Sequence, residues 1–72
     1  MVQTAPTPAA VRRVYTIRSF LVVMTEVKSE GYWAAYSPDI KGLAETGTTE
    51  EQVHQLMKAG VEEAIDAFAQ QD

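Results

Sequence analysis

One amphipathic stripe governs what this chain can fold into. After Thr49, the residues Val53, Leu56, Met57, Gly60, Val61, Ala64, Ile65 and Phe68 recur at spacings of three and four. That spacing lines one side of an α-helix with apolar groups. Glu62, Glu63, Asp66 and Lys58 fall off the stripe. Nothing earlier in the chain repeats with a helical period; the apolar residues there alternate or come in short β-branched and aromatic blocks. A helix must bury its apolar side, and strands are the other material available. The chain is therefore expected to be a two-layer α+β domain: three, possibly four, antiparallel strands packed on one long C-terminal helix.

The start of that helix is the clearest local signal. Thr49 followed by Gln52 is a capping-box pattern, and Thr48 with Glu51 offers a second frame one residue earlier. Glu50 and Glu51 suit the positive end of the helix dipole. Gly60 within the stripe costs about 1 kcal/mol relative to alanine; a close approach of helix to sheet would explain it.

The strands are read from composition and alternation. SFLVVMTEVK, residues 19–28, is rich in residues that fit a pleated surface, and both of its faces are largely apolar. Ser29-Glu30-Gly31 is a turn, residues 32–37 form a second strand, and the two make a hairpin. Pro38 ends ladder pairing because it has no N–H, Asp39 is expected to bond nearby backbone, and Gly42 closes the turn. Residues 43–46 form a short third strand ended by Gly47. VRRVYTIR, residues 11–18, reads either as a further strand or as an extended arm that pairs with a neighbouring subunit's sheet edge. Residues 1–10 read as a mobile tail, leaving 11–72 as a single domain.

A chain of 72 residues buries only about 60% of its unfolded surface, so a domain of this size needs support. With no cysteine and one histidine, disulfides and clustered thiolate or imidazole metal sites are excluded. Self-association, most simply a two-fold dimer, is the expected supplement; no cofactor and no metal is expected. The net charge of −4 is unevenly spread. Arg12, Arg13, Arg18 and Lys28 against Glu26 give +3 over residues 1–28; Lys41 against Glu30 and Asp39 gives −1 over 29–44. Lys58 against Glu45, Glu50, Glu51, Glu62, Glu63, Asp66 and Asp72 gives −6 over 45–72. An acidic helical half suits a basic partner better than nucleic acid. No apolar run approaches a membrane span of ~20 residues, and MVQTAPTPAA lacks the plan of a signal peptide. The cytoplasm is the expected location.

No catalytic residue is assigned. His54 sits at the stripe margin between Glu50 and Lys58, an ordinary surface row. Asp39 and Glu45 are the only carboxylate pair near the loop region; with a helix carboxylate they would make a metal-dependent nuclease, an alternative resting on fold analogy alone. The glycines match no phosphate-binding pattern. Alternation puts Trp33 opposite Tyr32 and Tyr36, so one set packs on the helix and the other faces outward. The arginines Arg12, Arg13 and Arg18 allow a second alternative, a dimer with an arginine-bearing strand in a DNA groove.

The run from Phe20 to Phe68 resembles the HicB-like antitoxin family. The match lies in Gly31-Tyr32, Pro38-Asp39-Ile40, Gly42, Gly47 and Thr49, in that order and spacing, leading into an acidic amphipathic helix. The resemblance implies a partial ribonuclease H-like fold without that enzyme's active site. It further implies a non-enzymatic protein that binds and neutralises a small basic RNA-cleaving toxin, or an orphan relative of such proteins. Trp33, Tyr36, Glu51, Glu62, Glu63 and Asp66 are the expected partner-binding residues. The chain departs from the family's pattern in having Lys41 where proline is usual, an N-terminal extension, and no C-terminal DNA-binding domain read after the helix, which puts the operon autoregulation that the resemblance implies in doubt.

Overall fold

The computed structural model of the chain describes residues 10–70. Four strands, β1 (Ala10–Ile17), β2 (Phe20–Val27), β3 (Tyr32–Tyr36) and β4 (Ala44–Gly47), precede one helix, α1 (Glu50–Ala69). The strands form a single antiparallel sheet in the order β1-β2-β3-β4, and α1 packs across one face to give the expected α+β layering. Apart from Ala10, which opens β1, the expected tail lies outside the described residues. The segment read as strand or arm is a strand, and it pairs with its own β2 from Ala10↔Val27 to Ile17↔Phe20. One edge of this strand is taken by β2, and β1 is itself an edge strand of the sheet.

That hairpin closes through Arg18 and Ser19, with φ of 53° and 75°. Two-residue turns with positive φ at both positions match the right-handed twist of the flanking strands. The sequence disguises this turn, because neither residue is the glycine or asparagine that such a turn favours. The next hairpin is more conventional: Val27 O accepts from the N–H groups of Glu30 and Gly31 at 3.1 and 2.9 Å, and Gly31 takes φ 79°.

The β3–β4 connection shows what Pro38-Asp39 is for. Continuing the β2–β3 register beyond Val23↔Tyr36 would set Leu21 opposite Pro38. There the Asp39 carboxylate takes over, with Oδ2 accepting from Leu21 N–H at 2.8 Å. Asp39 therefore bonds across the sheet to β2 rather than only within its own turn, although its N–H also donates to Ser37 Oγ at 3.2 Å. Gly42, φ 86°, completes the loop, and Ile40 drops from it into the core.

The pleat sorts the sheet into two unlike faces. Ile17, Val22, Met24 and Ala35 point toward α1 and meet Val53, Met57 and Val61, with Tyr15, Phe20, Trp33, Leu43, Ala64 and Ile65 packed around them. Val22, Met24, Val53, Met57 and Val61 are completely buried. On the far side, Val14, Val23 and Tyr36 form one cross-strand row. No element covers that side among the described residues.

Thr49 is the helix N-cap: its side chain accepts from Gln52 N–H at 3.0 Å. Gln52 Oε1 reaches back one residue further than the expected frame, accepting from Thr48 N–H at 2.8 Å. A Cβ at Gly47 would lie 2.6 Å from that Gln52 oxygen, and one at Gly60 would overlap Leu43 Cδ1, so both glycines mark close approaches of helix to sheet. Leu56 and Phe68, counted in the stripe, are 39% and 53% exposed. The 20 residues of α1 span about 30 Å, while the five residues of β3 span about 17 Å. The last turn, with Phe68, overruns the strands it packs on.

Candidate functional site

The arginines of β1 and its turn are divided by the pleat and the hairpin. Arg13 points to the helix side and pairs with Glu50. Arg18, held out by its turn, reaches Glu62, with Nη1 donating to Oε2 at 2.6 Å. Arg12 points to the opposite face, beside Thr25. The arm expected to present three arginines together does not do so, and two of the three are matched by helix carboxylates. These pairs are substantially exposed, so each contributes no more than about 1 kcal/mol. They link the first residue of α1 to mid-β1 and the interior of α1 to the β1–β2 turn.

Between them lies the most built arrangement on the surface. Tyr15 Oη is 2.8 Å from His54 Nδ1, and with the ring proton on Nε2 the hydroxyl donates. The two rings lie 5.6 Å apart at 41°, and the Arg13 guanidinium stands 5.5 Å from the centre of the Tyr15 ring, within cation–π range. Burial pushes the Tyr15 hydroxyl above its ordinary value of 10.0; Arg13 pulls it down and Glu50 pushes it up again. Arg13, Val14, Tyr15, Glu50, Glu51 and His54 line an open cleft of about 640 Å³. His54, expected as a solvated surface group, is half-buried against Tyr15. Its phenol partner lies 39 positions away, a separation invisible until β1 is known to border the sheet on the helix side.

The other expected site residues are dispersed. Trp33 is on the covered side, half-buried against the core, which leaves Tyr32 and Tyr36, 38% and 45% exposed, as the outward pair. Tyr36 therefore sits on the face opposite the helix acids. Glu62 is engaged by Arg18, whereas Glu51, Glu63 and Asp66 are exposed and make no ion pair among the described residues. At 100° per residue, Glu51, Glu62 and Asp66 fall on one outer stripe of α1, about 22 Å from end to end. Glu63 lies to its flank, beside Glu45, Lys41 and Gly60 along a shallow groove.

The residues that carry the family resemblance take backbone roles. Gly31 and Gly42 adopt left-handed φ, Asp39 replaces a missing ladder partner, Ile40 fills the core, and Thr49 caps the helix. Asp39 is already committed to Leu21 N–H, and no group of three or more His, Cys, Asp or Glu converges on a metal position among the described residues. No helix among them is long and apolar enough to cross a membrane. No protein-family model, no curated protein and no solved structure matches the chain.

Proposed function

We propose that this chain is a non-enzymatic binding protein of the HicB type, whose ligand is a small basic RNA-cleaving protein. The observation that carries this reading is the outer stripe of α1. Glu51, Glu62 and Asp66 project from it, and Glu51 and Asp66 are exposed without a cation of their own. Glu51, Glu62 and Asp66 span about 22 Å of a rigid helix with Lys58 as the one cation set among them; the net negative charge of that surface suits a basic protein, and such charge speeds encounter and selects partners. The motif residues support the reading differently: Gly31, Gly42, Asp39 and Thr49 serve turns, a loop anchor and the helix cap, and Ile40 fills the core, so most of the motif builds the fold and leaves the helix's outer face for recognition.

The test is affinity capture of the tagged chain from its native cells, followed by an RNA-cleavage assay on the captured protein. The expected result is a stoichiometric basic protein of fewer than ~100 residues that cuts RNA alone and stops when this chain is added. Replacing Glu51 and Asp66 by lysine should weaken inhibition at least ~10-fold and reduce its salt dependence. A captured protein whose RNA cleavage is unchanged by this chain, or capture of no basic protein, would overturn the reading.

A further inference from the structure

We infer that the uncovered face of the sheet is a contact between two copies of this chain, stacked sheet on sheet with the helices outermost. Four of the six large apolar side chains left exposed lie on that face: Val14, Leu21, Tyr32 and Tyr36, at 57%, 39%, 38% and 45% exposure. Beneath them Val23 is only 7% exposed without any covering element, because Val14 and Tyr36 flank it in the same row. The face thus has an apolar centre already partly closed by its own neighbours.

Charge decides who the occupant is. Of the strand residues that point to this side, Arg12 alone is charged, and it stands on the edge strand β1. There is no carboxylate here for a basic partner to meet. A second copy brings the same uncharged surface, which an isologous contact requires. Stacked sheets lie about 10 Å apart and each helix adds about 10 Å outside them. The acidic stripes of the two copies then stand roughly 30 Å apart, several times the screening length of about 8 Å at physiological salt, so their mutual repulsion is small.

The area is small. The strands hold 8, 8, 5 and 4 residues; with strands about 4.8 Å apart and a rise of about 3.4 Å, the flat footprint is roughly 400 Å² per copy. Two footprints give roughly 800 Å² before side-chain relief is counted, below the roughly 1,200–2,000 Å² of standard interfaces and in the range of weak, transient contacts. A contact of this size with Tyr36 as its aromatic anchor makes a weak dimer, expected at micromolar or higher concentration.

This inference does not depend on the basic-partner reading, because it is tested on the chain alone. Sedimentation velocity of the full chain, from about 1 to about 200 µM, should show a monomer–dimer equilibrium with a micromolar constant. Val14→Lys and Tyr36→Lys should each weaken it at least ~10-fold with the helical circular-dichroism signal intact. Leu56→Lys and Phe68→Lys, which alter the two exposed apolar residues of α1, should leave it unchanged. A monomer at every concentration overturns the inference and points to another occupant of the face, residues 1–9 or a different protein. A dimer dissociated by the helix substitutions and not by the sheet substitutions overturns it as well.

Discussion

Replacing Ser19 by glycine should stabilise the domain. Ser19 holds φ 75° in the second position of the β1–β2 turn, where an L-residue's Cβ crowds the following carbonyl at a cost of about 1–2 kcal/mol. Glycine removes that strain and returns about 0.5–1 kcal/mol of it through the greater freedom of the unfolded chain. The net gain is about 0.5–1 kcal/mol, which in a domain of this length raises the melting temperature by roughly 2–8 °C. Ser19 is the cleaner position, since Arg18 also carries the contact to Glu62. The mirror experiment is Gly31→Ala. At φ 79° an added Cβ meets nothing within 4 Å, so the whole loss, at least about 1 kcal/mol, is backbone strain rather than collision. Thermal unfolding followed at 222 nm measures both. A Ser19→Gly melting temperature equal to or below that of the parent would refute the strain argument for this turn.

Thr49→Ala removes the acceptor for Gln52 N–H and should cost about 1 kcal/mol, lowering the melting temperature by roughly 4–8 °C, while Thr49→Ser should keep most of it; the same thermal scans decide. Tyr15 should ionise above its ordinary value of 10.0, chiefly because it is partly buried. Since the fold favours the neutral phenol, its contribution is present below pH 10 and is lost as pH rises from there through the raised value. Tyrosinate absorbance against pH should show a late component that Tyr15→Phe abolishes, and a variant titration superimposable on the parent would contradict the assignment.

Periodicity and turn chemistry made the layered fold, the order of its elements and the helix cap legible. Val53, Met57 and Val61 were readable as core because a helix repeats its buried side every three to four residues. Three features were not readable, for separate physical reasons. The β1–β2 turn is built from Arg18 and Ser19, whose conformation is enforced by the register on both sides rather than by their own preference. Trp33 and the tyrosine pair could be assigned to opposite faces, but only the packed helix says which face is covered. The Tyr15–His54 contact and the two arginine–glutamate pairs join residues from opposite ends of the chain, and no local pattern encodes such a separation. The expected partner surface was legible only as composition: the acids are on the helix as read, but Trp33 is not beside them, and Tyr36 faces away from them.

The sheet order has a consequence for how the chain is made. Each strand pairs with the one before it, so the sheet can close hairpin by hairpin, each in about 1–10 µs. Its covered side is another matter. Val22, Met24 and Ala35 find their lids in Val53, Met57 and Val61, and the last of these is synthesised 25 positions after Tyr36. At about 5–20 residues per second, Val61 is made about 1–5 s after Tyr36, so the strands are synthesised before the side chains that cover them. During that interval the meander is most exposed to wrong pairing, and the arginines that α1 later engages stand as unpaired positive charge on the edge strand and its turn, the kind of charge that keeps an open edge from recruiting another strand.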